Sequence, residues 1–321
     1  MSSIVYITDK QMVEYHRLNG NRTMNFWRSG TKKIKDFQTG DLLFFLAKGT
    51  ERGRKREKGI VGYGRYKDMS VMSVNQMWTK FGTQNGYATK ELFQEAILKV
   101  NKNKELPQKI SALYLTNVVY FQEPLYLSEL GIKVSNLIES YFYLDKEDPA
   151  ATSKVLQQAK KIGLDTWMAM LSEEEINDNL IEEDENRHFI SSTIQRLLPI
   201  YSENENKKAK KIIKYVKKES DKQGTSASYT EGSRATLLIQ TKNSIELFVP
   251  LVVTTKNIKQ KVQMIVGHAT ILKGILRERF PDYRINVIAV SENALAEEYQ
   301  KMLSLSNVNY LPIESNSENN A

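Results

Sequence analysis

Along the first half of the chain, apolar positions come in short runs broken by glycine and charge. Residues 4–8, IVYIT, pattern as a strand, and DKQMVEYHRL behind them as a short helix with Asp9 placed to cap its first turn. GDLLFFLAK at 40–48 is a turn feeding a continuous apolar run, which predicts a strand buried on both faces. KGIVGYGRY at 58–66 predicts a second strand; its three glycines suit a bulge or close strand approach in a tightly curled sheet. VNQMWTKFGT and ATKELFQEAILKV predict helices around an Asn-Gly-Tyr turn, and ISALYLTNVVYFQEPLYL one or two β-rich stretches ended by Pro124. Strands and short helices alternating on this scale suit a small barrel.

After about residue 171 the pattern changes. SEEEINDNLIEEDE carries eight acids over 173–185, and KKAKKIIKYVKK at 207–218 carries seven lysines. Both predict helical segments. In the second, Ala209, Ile212, Ile213 and Val216 fall at helical spacing, so one side packs and the other faces solvent; the acidic helix is a candidate to lie against it. From 223 the order is a Gly/Ser/Thr loop, strand ATLLIQT, turn, strand IELFVPLVVTT, a helix from about 257 to 279, strand RINVIAVS, helix NALAEEYQKML and strand VNYLPI. That order predicts an α/β domain. The expected organisation is therefore a domain over 1–171, a charged helical linker over 172–222, an α/β domain over 223–314 and a polar tail over 315–321.

A chain of 321 residues, 40% hydrophobic, is long enough for two cores. No apolar run reaches the roughly 18 residues of a membrane span, and MSSIVYITDK lacks the order of a signal peptide, so a cytoplasmic location and no membrane partner are expected. The absence of cysteine removes disulfides, thiolate metal sites and cysteine nucleophiles, and the three histidines are widely spaced, so any metal would sit on oxygen ligands. A net charge of +8 suits a polyanionic partner. GIVGYG is not a dinucleotide fingerprint, because its spacing is G-x-x-G-x-G within a strand, and neither a nucleophile-elbow nor a P-loop pattern occurs.

In order and spacing, NFWRSG at 25, GDLLFFLAK at 40, GIVGYGRY at 59, MWTKFGTQNGY at 77 and the later LYLTNVVYFQEP and NLIESYFY resemble a domain of the PUA/EVE/YTH-like superfamily. The version most like it stands ahead of HNH nuclease domains in predicted bacterial restriction enzymes. The resemblance covers roughly residues 4–171, with Ser29 where a proline is usual and a longer, more basic loop at 48–58. It implies a β-barrel whose concave, aromatic-lined face accepts a base, often a modified one. Base stacking of that kind is worth roughly 1–3 kcal/mol. On this reading Trp27, Tyr63 and Trp78 are candidate faces, Asn25 and Asn85 candidate readers of a base edge, and Arg28 a phosphate or stacking contact. The alternative reading makes the tryptophans core residues, Phe26 a core residue and Asn85-Gly86 a turn. In the loop KGTERGRKREK, Lys48, Arg52, Arg54, Lys55 and Arg56 are candidate phosphate contacts, against the alternative of a solvated hairpin tip.

The strand, turn, strand, long helix, strand, helix order over 235–312 resembles the core of the PD-(D/E)XK restriction-endonuclease superfamily. The resemblance implies an acid and an acid-x-lysine pair that bind Mg2+ and activate water. Glu246 fits the first acid and metal ligand, Lys256 the lysine, and Gln260 or Gln263 the helix glutamine; Thr254 stands where the second acid belongs, leaving Glu231 or Glu219 as candidate substitutes. His268 lies within an apolar helix and reads as a core histidine. The function expected from both resemblances is modification-dependent restriction: recognition of a modified base in double-stranded DNA, with Mg2+-dependent backbone cleavage and a homodimer where both strands are cut. The alternative is a reader of modified DNA or RNA whose nuclease-like domain is degenerate.

Overall fold

The structure, a computed structural model, describes residues 3–101, 103–134, 138, 140–171, 179–197, 201–225, 227–230, 236–241, 243–254 and 257–313. It divides into two compact units, Met1–His188 and Phe189–Ala321. The division falls inside one helix, α6 (Asn179–Leu197), which gives Ile181 to a core of the first unit and Ile190 and Ile194 to a core of the second. The segment 172–222, expected as a separate linker, is thus divided between the units among its described residues.

The first unit holds β1 (Ser3–Thr8), α1 (Lys10–Leu18), β2 (Met24–Arg28), β3 (Leu42–Ala47), β4 (Ile60–Met72), α2 (Val74–Phe81), α3 (Lys90–Val100), β5 (Ile110–Leu125), β6 (Tyr141–Tyr143), α4 (Ala151–Ile162) and α5 (Thr166–Leu171). Its sheet has the order β2-β5-β4-β3-β1-β6, with β1 and β3 parallel and the other pairs antiparallel. Asp9 caps α1 by accepting from the Gln11 N–H, as its position predicts, and Ser73 and Gln76 close a capping box on α2.

Alternation along β3 explains its unbroken apolar run. Leu43 and Phe45 enter one core and Leu42, Phe44 and Leu46 the other, so all six positions are buried. The sheet curls upon itself: three strands separate β1 from β2 in the sheet order, yet the Phe26 ring stands edge-on to Tyr6 at 4.9 Å. Bulges along β4 supply the curvature, with register shifts at Ile60/Gly62, Tyr63/Arg65 and Tyr66/Asp68. A Cβ on Gly62 would lie 2.3 Å from the Val119 carbonyl oxygen, so only glycine fits that approach.

The second unit holds α7 (Glu203–Lys222), β7 (Ala227–Tyr229), β8 (Leu237–Gln240), β9 (Ser244–Pro250), α8 (Ile258–Arg279), β10 (Arg284–Ser291), α9 (Glu297–Leu305) and β11 (Val308–Pro312). Its sheet order is β11-β10-β9-β8-β7; β9, β10 and β11 run parallel, while β7, β8 and β9 form an antiparallel meander. One face packs Val262, Ile265, Ala269 and Leu272 of α8 against Leu247, Val249 and Val287. The other packs Ala209, Ile212, Ile213 and Val216 of α7 against Leu237, Ile239 and Phe248. The protein is α+β, with two mixed sheets. Two local expectations change: β9 ends at Pro250 rather than running on through the threonines, and the segment expected as a Gly/Ser/Thr loop contains β7.

Candidate functional site

Side chains alternate across a strand, and over the five residues of β2 this separates the residues expected on one open face. Asn25 and Trp27 point to the side covered by α2 and α3. The Asn25 amide nitrogen donates to Asn85 Oδ1 at 2.7 Å, and the Asn85 amide donates to the Gly82 carbonyl at 2.7 Å. Trp27 stands edge-on to Phe93 at 5.6 Å and beside Tyr87 at 6.4 Å. Asn25 and Asn85 are fully buried and Trp27 is 8% exposed, so this group is interior structure. Trp78 is half-buried with its ring 5.9 Å from that of Phe93.

Tyr63 also departs from expectation. It is fully buried, its ring 5.3 Å from Phe44 and 6.2 Å from Phe121, and it offers no face to a ligand. Its hydroxyl donates to Asp184 of α6 at 3.0 Å, and Arg65 pairs with the same carboxylate at 2.7 Å. Burial, then the charge of Asp184, pushes the Tyr63 phenol well up, which keeps it a donor. The acidic stretch expected to lie against the lysine helix therefore places Asp184 on β4 and Glu185 on α4, where Ser153 and Gln157 each donate at 3.0 Å.

The other face of β2 carries Phe26 and Arg28, and here half-buried aromatic residues gather. The Arg28 guanidinium lies near enough to Tyr6 for its charge to act on that phenol, and its Nη2 donates to the Lys32 carbonyl. Its Nε is buried without a hydrogen-bond partner among the described residues. Tyr6 stacks on Tyr141, its register partner across β1 and β6, at 5.7 Å and 15°. Tyr143 lies edge-on to Tyr141 at 5.9 Å and donates its hydroxyl to the Lys35 carbonyl; Phe37 leans on Tyr66 at 4.7 Å. Burial raises the Tyr6 phenol, with Arg28 pulling in the opposite direction, and raises that of Tyr66 with help from Asp68. Tyr143 is pushed up to about 12, chiefly by burial. These phenols stay protonated at neutral pH, so the cluster presents a fixed cation, neutral hydroxyl donors and π-faces.

Segment 29–40 borders this cluster. Ile34 and Phe37 are buried, while Lys32, Lys33 and Lys35 are exposed. Ser111 Oγ donates to the Gly30 carbonyl at 2.7 Å, and Thr39 Oγ1 to the Lys67 carbonyl at 2.8 Å, holding both ends. Chemically the arrangement suits a flat ligand bearing negative charge: rings for its faces, Arg28 for a carbonyl or phosphate, and lysines at the margin.

Only part of the loop at 48–58 is available to a partner. Arg52 pairs with Glu129 at 2.6 Å and lies 3.3 Å over the Tyr126 ring, and its backbone exchanges hydrogen bonds with Glu57 at 3.0 and 3.1 Å, so it pins the hairpin. Glu57 in turn accepts from the Ser128 N–H and hydroxyl at 2.9 and 2.6 Å. Lys48, Arg54, Lys55 and Arg56 are exposed. Lys55, Arg56, Lys58 and Lys133 border a cavity of about 870 Å³ with aliphatic walls that include Ile7, Leu46 and Leu127.

In the second unit, Glu246 is half-buried on β9, with Ile239 and Asn286 as its register partners. Gln260 and Gln263 are exposed on α8, and the Thr254 N–H donates to Asn257 Oδ1 at 2.7 Å. Lys256 and Glu231 lie outside the described residues. Among the described residues no group of three or more histidine, aspartate or glutamate side chains is placed to hold a metal, and one carboxylate does not supply the oxygen ligands Mg2+ requires. His268 is half-buried, and burial lowers its pKa. No described helix is long and apolar enough to cross a membrane.

No protein-family model matches the chain, and no curated protein matches it. Among solved structures, the N-terminal half resembles the ASCH protein from Zymomonas mobilis at 14% identity, covering 48% of this chain and 94% of that one, with a TM-score of 0.35. Two mutant forms of that protein align at 14% and 12% identity, each covering 49% of this chain, and 98% and 95% of their own, with TM-scores of 0.35 and 0.36.

Proposed function

We propose that the first unit binds nucleic acid and that the cluster of Arg28, Tyr6, Tyr66 and Tyr141 receives a base taken out of its stack. The observation that carries this reading is the buried, unpartnered Nε of Arg28 beside half-buried tyrosine rings. A base drawn from its stack needs flat surfaces and a few donors, and these side chains provide both. Lys32, Lys33 and Lys35 on one segment, and Arg54, Lys55 and Arg56 on the hairpin, are the phosphate contacts of this reading, positioning the strand without reading its sequence. The test is fluorescence anisotropy with labelled DNA and RNA oligonucleotides that are unmodified, methylated, hydroxymethylated or glucosylated. Arg28→Ala is expected to weaken binding of the preferred oligonucleotide at least tenfold without loss of fold; unchanged affinity overturns the reading.

A second reading keeps cleavage. The β8-β9 hairpin followed by α8, a parallel β10 and α9 favours it, because this is the element order on which the nuclease resemblance rests. On that reading a modified base in double-stranded DNA is recognised by the first unit, and Glu246, Lys256 and Gln260 would serve a Mg2+ site only with a further carboxylate beside Glu246, in a homodimer if both strands are cut. Incubation of modified duplexes with Mg2+ or Mn2+ tests it: cleavage lost in Glu246→Ala and Lys256→Ala supports the nuclease, and binding without cutting leaves a reader.

A further inference from the structure

α7 turns its buried stripe of Ala209, Ile212, Ile213 and Val216 into the second unit's core, which leaves the opposite side to solvent. Lys210, Lys214, Lys218 and Lys222 follow one another there at i, i+4 steps, spanning about 18 Å along the helix. Lys222 pairs with Glu219 at 2.8 Å, whereas Lys210, Lys214 and Lys218 hold no carboxylate among the described residues. Two tyrosines accompany the lysines. Tyr215, 44% exposed, sits on the helix between Lys211 and Lys218 at i−4 and i+3. Tyr229 of β7 lines a shallow recess of about 530 Å³ together with Lys214, Lys217, Lys218, Asp221 and Lys222. Lys217 pairs with Asp221 at 2.8 Å and lies 6.0 Å over the Tyr229 ring, so the recess is built rather than frayed.

We propose that this face of α7 and its recess form a second, sequence-independent surface for the backbone of a nucleic acid, separate from the aromatic cluster of the first unit. A polyphosphate chain complements a line of ammonium groups, and lysine, a point charge on a flexible stem, neutralises phosphates without reading bases. Tyrosines between the lysines offer faces on which an unpaired base stacks. A membrane surface fits less well. An interfacial helix inserts its apolar face, and that of α7 is buried against the sheet.

The experiment uses the full chain and a fluorescein-labelled 20-base-pair duplex, with the single strand of the same sequence as a second probe, titrated over a range of salt. The Lys210→Ala, Lys214→Ala, Lys218→Ala triple variant is expected to flatten the dependence of log affinity on log salt by about 2 to 3 for the duplex, about 0.9 for each phosphate no longer neutralised, with unchanged circular dichroism and melting temperature. A control with Lys80, Lys99 and Lys109 changed to alanine removes the same charge from the first unit and is expected to keep the slope. A slope unchanged in the α7 variant, or flattened equally in the control, overturns the proposal. So does binding to phosphatidylserine vesicles that the α7 variant loses while its DNA slope stays intact. The two proposals fail separately. A wild-type protein without base preference, but with a slope that depends on these lysines, removes only the pocket; a preference retained with no slope change removes only this surface.

Discussion

Phe26 and Tyr6 lie on strands separated by three others in the sheet, and their rings meet edge-on at 4.9 Å. Curling of the sheet makes that pair possible, and the bulges and glycines of β4 accompany the curl. Two residues beyond Phe26 the same strand carries Arg28, whose charge acts on Tyr6 of the stacked Tyr6–Tyr141 pair.

The distinct roles of the two neighbours on β2 give a contrast. Trp27→Ala is expected to lower stability by about 3–5 kcal/mol, the range for truncating a buried aromatic side chain. Arg28→Ala is expected to cost little stability and to lose ligand. Urea unfolding of both variants beside oligonucleotide titrations checks it; a stable, non-binding Trp27→Ala would return that ring to the binding face.

Asp184 joins Tyr63 and Arg65 in one buried network. Asp184→Ala leaves the guanidinium of Arg65, at present 2.7 Å from its carboxylate, without that partner. The expected loss is about 3–5 kcal/mol of stability. Replacing Arg65 as well should recover part of it, and a double-mutant cycle by chemical denaturation measures the coupling.

Acid sensitivity follows from His16. It is fully buried, and burial lowers its pKa from 6.5 to about 4. Above pH 6.5 the ring is neutral in both folded and unfolded chains and costs nothing. Between pH 6.5 and about 4 the unfolded chain binds a proton that the folded chain does not, so stability falls as pH falls. The full loss is on the order of 3 kcal/mol. His188 is lowered too, mainly by burial, and acts with the same sign. His16→Gln is expected to remove part of the slope between pH 4 and 6.5 in urea melts, with His188 carrying a comparable part; an unchanged slope contradicts this assignment.

Gly62→Ala would set a methyl group 2.3 Å from the Val119 carbonyl oxygen. Two long strands must then part, and a loss of at least about 1–3 kcal/mol is expected, as for overpacking in a filled core. Thermal melts check this, and Gly53→Ala is the comparison: its Cβ meets nothing within 4 Å, although its φ of +64° adds backbone strain of its own.

For the hairpin, changing Arg54, Lys55 and Arg56 together to alanine is expected to flatten the salt dependence of oligonucleotide binding by about 2 to 3 while leaving the melting temperature unchanged. Arg52→Ala, which removes the pin on Glu129 and Tyr126, is expected to loosen the hairpin instead, visible as faster amide exchange over 48–58.

Local pattern carries far in this protein. The unbroken LLFFLA run required a strand covered on both sides, Asp9 announced its helix, and the apolar stripe of α7 named the face that packs. These features depend on neighbours within a few residues, and chain periodicity encodes them directly. The separation of Trp27 from Arg28, expected together on one open face, follows from the period of two once MNFWR is known to be a strand. The composition of the site was not legible in the sequence. Tyr6, Tyr66, Tyr141 and Arg28 come from four strands, and no local spacing relates them. Tyr63 and Tyr66 look alike on one strand, yet three positions apart they face opposite sides, one ring in the core beside Asp184 and the other at the margin of the cluster. By itself the sequence determined the elements, the buried stripes and the basic segments, because each follows from short-range alternation of side chains. Which aromatic rings meet a cation at the surface was decided only by the curl of the sheet, a sum of twist, bulge and close strand approach over its whole width.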